Sequence, residues 1–204
     1  LYRESADAWK RLWQEKDIIV DTDWEFERQA IRYAIYNLTI TVPRHDARMN
    51  IGARGLQGHG YNNHVFWDTE VYMLPHFIFT EPQAARKLLQ YRYFGLAGAR
   101  QKAKDCGYTG AMYPWEAAWM TDVECCPAFA ETGRYEHHIT GDVVQAIFYY
   151  TAATGDRTFL EKYGYEIIFS TAKYWTSRVH YNEALDRYEI LDTIGPDENR
   201  EHID

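Results

Sequence analysis

The stretch ITGDVVQAIFYYTAAT, residues 139–154, decides the fold class. Val143, Val144, Ile147, Phe148 and Tyr150 put apolar side chains on more than one face of a helix. A helix apolar all round is buried on both sides. Gly155 closes it and Asp156 opens the next, with Leu160, Ile167, Ile168, Ala172, Trp175 and Val179 in register to about Tyr181. Upstream, Glu81-Pro82 opens a helix with one face formed by Ala85, Leu88, Leu89, Arg92, Leu96, Ala99 and Ala103, ended by Gly107. Helical patterning also covers Asp68 to about Thr80. A further helix runs from Asp23, which can cap it, to about Leu38, with Phe26, Ala30, Tyr33 and Ala34 on one face. A short helix over 5–16 carries Trp9 and Trp13, and Ile18–Val20 reads as a brief strand. The segment Arg187–Ile194 alternates like another short strand. Two stretches without period, 43–64 and 107–135, interrupt the helices. Loops this long in a compact domain are usually functional or disordered. The outcome is an all-α, antiparallel run of helices with alternately short and long connections and no solenoid repeat. Long loops gathered at one end would form a pocket mouth.

Composition narrows the function classes. The chain has 204 residues, 46% hydrophobic and 25% charged, as a globular domain requires. No apolar run approaches the ~20 residues of a membrane span. The net charge is −8 and no basic stripe is present, which argues against nucleic acid and anionic membrane as partners. The 17 Tyr and 7 Trp serve either a large aromatic core or sugar binding, since both rings pair an apolar face with a polar edge. Cys106, Cys125 and Cys126 are odd in number, which is a poor disulfide framework and points to a reducing, cytoplasmic compartment. The chain starts at Leu1 and stops inside an acidic segment at Asp204. It reads as an excerpt of a longer protein, 1–22 a lead-in and 23–204 the N-terminal part of the domain.

Three segments carry carboxylates beside aromatic rings. In GYNNHVFWDTEVYMLP, residues 60–75, Trp67 and Asp68 sit where a glycine-rich loop meets a helix. Asp68 reads as an acceptor for sugar hydroxyls or as a helix cap. In GYTGAMYPWEAAW, residues 107–119, Trp115 and Glu116 line a pocket or stabilise a loop. In ILDTIGPDENREHID, residues 190–204, Glu198 follows a Gly-Pro turn after an apolar strand. It reads as an acid able to protonate a glycosidic oxygen or as a solvated turn. Cys125 and Cys126 with His137 and His138 match no common zinc spacing, so no metal is expected. Cys106 reads as a small buried residue at a helix end rather than a nucleophile.

Taken in order, IGARGLQGHGY, HVFWDTE, YRY (91–93), YPWE, EHHITGD and IGPDE resemble glycoside hydrolase family 65 over nearly the whole chain. The resemblance implies the first half of an (α/α)6 barrel, with the active site at its loop end and a short strand before the GPDE motif. It maps glucosyl binding to Trp67 and Asp68, the general acid to Glu198, and pocket lining to Trp115 and Glu116. Three positions depart from the pattern: Asn62-Asn63 before HVFWDTE, Ala117 after PWE, and Asn199-Arg200 after GPDE. They lie near the leaving-group side and bear on acceptor identity.

The implied reaction is inverting phosphorolysis of an α-glucosidic disaccharide to β-glucose 1-phosphate. It needs one carboxylic acid, inorganic phosphate as co-substrate and no cofactor. An inverting α-glucoside hydrolase of the same family would need a second carboxylate, expected beyond Asp204. A non-catalytic carbohydrate-binding scaffold would not need Glu198. A homo-oligomer of the full-length protein is compatible with either enzyme, and the excerpt alone is expected to be inactive.

Overall fold

The computed structural model describes residues 1–118, 123–199 and 202–204. It divides into two units, Leu1–Val42 and Pro43–Asp204. The first unit holds α1 (Tyr2–Lys16) and α2 (Glu25–Thr41). Trp9 stacks on Tyr36 at 5.0 Å and lies 6.0 Å from Trp13, so the two tryptophans share a face as their spacing predicts. Two expectations fail here. Ile18–Val20 forms no strand, and Asp23 does not cap α2. Trp24 is the cap residue, and its N–H turns back onto Thr22 Oγ1 at 3.1 Å, which delays the helix start.

The second unit contains α3 (Leu74–Thr80), α4 (Pro82–Phe94), α5 (Leu96–Asp105), α6 (Thr132–Tyr135), α7 (His138–Thr154), α8 (Arg157–Phe159) and α9 (Tyr165–Arg178). A hairpin of β1 (His180–Asn182) and β2 (Arg187–Glu189) pairs Tyr181 with Tyr188 and is the only sheet among the described residues. The architecture is mostly helical, as an incomplete (α/α)6 barrel requires. None of its described helices is long and apolar enough to cross a membrane.

Helix α7 is the hub: α3, α4 and α9 all pack on it. Ile139, Val143, Ala146, Ile147 and Tyr150 are buried on α7, as are Leu88, Leu89 and Tyr91 on α4 and Ile167 on α9, while Tyr174 of α9 packs with Ala103 and Met112. The second apolar face of α7 is not covered, and Phe148 is 54% exposed. Burial on both sides is therefore met on one side only within this chain.

Other helix boundaries also differ from expectation. The helix over 82–105 breaks at Gly95, whose N–H is shared between the Tyr91 and Tyr93 carbonyls. Glycine is a poor helix former, so the interruption falls there. The helix after Asp156 runs through a π turn, Leu160–Gly164, and ends at Arg178 because Val179 is extended. Asp156 does cap it, its carboxylate accepting the Phe159 N–H at 2.9 Å. The strand before GPDE shrinks to Arg187–Glu189. Helical structure after Asp68 begins as a π turn, Thr69–Met73. Pro75 lacks the N–H that would reach the Val71 carbonyl, and its ring would crowd that carbonyl, so the turn widens.

The long loops are pinned to the helices by main-chain bonds. Ala111 N–H reaches the Ser170 carbonyl at 2.9 Å and Met112 N–H reaches the Ala99 carbonyl at 3.0 Å. Gly110 makes this approach possible: its φ is +77°, and a Cβ there would sit 2.2 Å from the Ser170 carbonyl oxygen.

Beneath the first loop lies a buried ion pair. Arg92 Nε and Nη2 donate to the two Glu70 oxygens at 2.8 and 2.9 Å, with both side chains essentially inaccessible. Arg92 Nη2 also donates to the Phe66 carbonyl at 3.1 Å, and Tyr113 Oη donates to the Arg92 carbonyl at 2.9 Å. Removing one partner of such a pair strands a buried charge, at a cost of about 3–5 kcal/mol. Arg92→Met in the full-length protein is expected to lower the denaturation midpoint by a matching amount. A midpoint unchanged from wild type would show that the pair holds nothing in place.

Candidate active site

The first motif enters through a left-handed turn. Tyr61, Asn62 and Asn63 have φ of 56°, 51° and 57°. Asparagine tolerates this region better than most side chains, which accounts for the Asn-Asn pair where glycine would also serve. Val65 then bridges Ala117, with N–H···O bonds of 2.8 and 3.0 Å in the two directions. This bridge brings the first two sequence motifs together. Phe66 meets Trp115 edge-on at 4.9 Å, and His64 Nδ1 lies 2.8 Å from Glu116 Oε1. Glu116 is buried and engaged with His64. The Trp115 indole N–H is buried with no partner among the described residues, a polar group costly to leave unmet.

The loop around Trp115 is organised by a residue that sequence reasoning passed over. The Glu124 carboxylate accepts from the backbone N–H of Trp115, Glu116 and Cys126 at 2.9, 3.1 and 3.1 Å. Lys102 balances it at 2.6 Å. A lysine near the end of a largely apolar helix face was the available signal.

Asp68 stands at the N-terminus of the π turn, yet its side chain makes no capping bond. Burial pushes its carboxyl above the usual range, offset in part by its own N–H. Trp67 beside it packs edge-on against His138 at 4.7 Å. His138 Nδ1 is 2.7 Å from Asp142 Oδ2, and Nε2 is 3.2 Å from Glu136 Oε2. Burial opposes charging of His138. The Asp142 and Glu136 carboxylates outweigh it and push the imidazole up to about 9.

The third motif is mounted on the same corner. Ile194 is buried, and its N–H donates to the Tyr135 carbonyl at 3.1 Å. Arg178, at the end of α9, donates to the Leu191 carbonyl and, at 3.2 Å, to that of Asp192. Arg178 Nε also donates to His137 Nε2 at 3.1 Å. Burial first, then Arg178, hold His137 down at about 3, so it is neutral. Because arginine can only donate, Nε2 is the bare nitrogen and Nδ1 carries the proton toward Tyr174 Oη, 2.5 Å away.

From this mount the chain loops out and returns, Thr193 and Ile203 exchanging two 2.9 Å bonds. Glu198 lies in the loop at φ +57°, its N–H on the Gly195 carbonyl at 2.9 Å. A non-glycine residue in this region is often found at functional sites. Its carboxyl is raised by burial, then by the Glu136 and Asp68 carboxylates, with His138 opposing. Asp68 and Glu198, 130 positions apart in sequence, thus share one electrostatic corner with Glu136 and His138. The Val65–Ala117 bridge ties the Trp115–Glu116 segment to the residues that lead into Trp67 and Asp68. Glu201, the other glutamate of this segment, and Arg200 lie outside the described residues.

Residues 32–204 match the glycosyl hydrolase family 65 central catalytic domain, and the chain belongs to that family. Over its whole length it is 49% identical to the kojibiose phosphorylase of Halothermothrix orenii, covering 27% of that protein. It is 42% identical to the kojibiose hydrolase of Flavobacterium johnsoniae, again over its whole length and 29% of the relative. The solved structure named "Putative kojibiose phosphorylase from human microbiome" matches 98% of this chain and 29% of its own, with a TM-score of 0.89 at 28% identity. The chain therefore spans little more than a quarter of the length of the curated relatives it matches.

The residues once weighed as zinc ligands have other partners. His137 and His138 are engaged through both ring nitrogens. The Cys126 thiol contacts the Ala130 carbonyl and Thr132 Oγ1, and burial pushes its pKa up. Exhaustive dialysis of the full-length protein against a chelator should leave its rate within about twofold. Loss of activity together with loss of one zinc per chain would contradict this arrangement.

Proposed function

We propose that the full-length protein cleaves an α-glucosidic disaccharide by inverting phosphorolysis, giving β-glucose 1-phosphate and a free acceptor sugar. The observation that carries this reading is the Glu198 carboxyl, presented on a left-handed turn and raised by burial and by two neighbouring carboxylates. A general acid must hold its proton more tightly than a free carboxyl does, and these influences act in that direction. The kojibiose phosphorylase relative supports phosphate as the nucleophile.

In this reading Asp68 binds the glucosyl ring. Its partly desolvated carboxylate has no capping duty, so its oxygens are open to bonds from two sugar hydroxyls. Trp67 flanks that ring, and Trp115 and Glu116 line the pocket. Phosphate oxygen bonds to the anomeric carbon from one face while the bond to the acceptor oxygen breaks on the other. The Glu198 proton passes to that departing oxygen. One attack from the opposite face inverts the configuration, and no second protein carboxylate or cofactor is called for.

The kojibiose hydrolase relative favours a second reading, in which water replaces phosphate and a further carboxylate activates it. The Glu198 and Asp68 roles are common to both.

Asp68→Ala should cut turnover by about 10⁴ or more with the fold intact, because a site built to bond hydroxyls depends on them. Near-normal kcat would show that Asp68 serves only the helix start. Glu198→Gln keeps the shape but has no carboxylic proton. Its kcat on an ordinary disaccharide should fall by about 10²–10⁴. Much of the rate should return on α-glucosyl fluoride with phosphate, whose leaving group needs little protonation, and the basic limb of the pH profile should flatten. Glu201→Gln, as the control, should lose far less. If the two variants exchange these behaviours, Glu201 is the acid; if both stay active, the acid lies elsewhere.

A further inference from the structure

Arg178, the last residue of α9, is buried, and among the described residues its side-chain partners are all uncharged. Nε donates to His137 Nε2 at 3.1 Å. Nη2 donates to the Leu191 carbonyl and, at 3.2 Å, to that of Asp192. The guanidinium lies 5.8 Å from the Tyr108 ring. Burying a cation costs free energy that well-aimed acceptors must offset. A planar guanidinium can aim several donors at once, which an ammonium on a flexible stem cannot. What Arg178 supplies is therefore direction rather than net stability.

The two carbonyls flank one Cα, that of Asp192, whose φ is +56°. L-residues enter this region reluctantly, aspartate more readily than most. One nitrogen thus holds both peptides of a left-handed residue, and this turn sets the direction in which the chain leaves toward Glu198. The returning chain is tied to the same residue. The Asp192 N–H donates to Asp204 Oδ1 at 3.0 Å, and the Asp192 carboxylate meets His202 Nδ1. Beside it Thr193 and Ile203 exchange their two bonds. His202 Nε2 lies 2.9 Å from Glu131 Oε2, and its ring meets Tyr135 edge-on at 4.9 Å. Both ends of the segment that carries Glu198 converge on Asp192. Arg178 fastens Asp192 to α9 and, through His137, to the start of α7.

We propose that Arg178 is a positioning residue for the acid. It grips the Asp192 turn while His202 closes the neck of the loop, and together they hold Glu198 where the departing glycosidic oxygen lies. This rests on the proposed role of Glu198. Displacing the acid by about 1 Å costs on the order of 10²-fold in a step that needs its proton, and little in a step that does not.

The test measures kcat and KM of full-length variants on an ordinary disaccharide and on α-glucosyl fluoride, each with phosphate. Arg178→Met should lower kcat on the disaccharide by about 10²-fold, with KM little changed and the fluoride rate within about threefold of wild type. Arg178→Lys should recover only part of that loss, because it keeps the charge but not the fork. His202→Ala opens the neck from the exposed side of the loop. It should lower kcat on the disaccharide by about tenfold and again spare the fluoride, and it carries the test if Arg178→Met does not fold. Asp192→Asn keeps an acceptor and tolerates the left-handed turn, so it should retain most of the disaccharide rate that β-branched Asp192→Val loses. Equal losses on both substrates in Arg178→Met and His202→Ala, or no loss in either, overturn the proposal. So do equal rates in the two Asp192 variants. Glu198→Gln separates the clamp from the acid. Adding His202→Ala or Arg178→Met to Glu198→Gln should cost little more on the disaccharide, since no acid is left to position. A full further loss there overturns the clamp and leaves the acid standing. A wild-type kcat in Glu198→Gln overturns the acid itself.

Discussion

The buried Arg92–Glu70 pair is the constraint on which the rest of the site depends. Arg92 is buried on α4, and Glu70 is buried on a π turn that Pro75 forces open. One bond to each oxygen fixes the carboxylate, and a third bond fixes the Phe66 carbonyl. Phe66 and Glu70 bracket Trp67 and Asp68, so these two side chains have little freedom in where they emerge. A buried pair of this kind is a poor source of net stability but sets geometry, because a misplaced partner leaves an uncompensated charge. The same logic recurs nearby: Arg178 ties His137 to the segment between β2 and GPDE, and Lys102 balances the carboxylate that holds the Trp115 loop.

The helices were legible in the sequence because α4, α7 and α9 bury faces at regular spacing, and hydrophobic periodicity reports burial directly. Helix breaks were less legible. Gly95 sits within a pattern that continues on both sides, and the π turns depend on a missing N–H at Pro75 or on local packing rather than on apolar spacing. The brief strand over 18–20 was misread because three adjacent β-branched residues have strand propensity but no partner chain to pair with. Phe148 was expected to be buried; propensity cannot say which elements are present to cover a face.

The candidate residues Trp67, Asp68, Trp115, Glu116 and Glu198 stand out in the sequence as carboxylates beside aromatic rings in family order. Their shared location could not be read from any one segment. It arises from the Val65–Ala117 bridge and from the Ile194–Tyr135 bond, both main-chain contacts with no side-chain signature. Glu136, Asp142 and Glu124 went unremarked for a related reason. Glu124 acts through backbone N–H groups and Lys102; Glu136 and Asp142 act through His138; and an acidic residue in a polar stretch looks the same whether it is solvated or buried.

Two chemistries are compatible with an acid at Glu198 and a hydroxyl-binding carboxylate at Asp68, and relatives named for each are 42–49% identical to this chain. The direct measurement is time-resolved proton NMR of the full-length protein incubated with kojibiose, the disaccharide in its relatives' names, with and without inorganic phosphate. The account predicts β-glucose 1-phosphate as the first product, formed together with one equivalent of free glucose, and no cleavage without phosphate. Cleavage at an equal rate in phosphate-free buffer, giving β-glucose from the donor half, would contradict phosphorolysis. The α-anomer of glucose 1-phosphate as first product would contradict inversion.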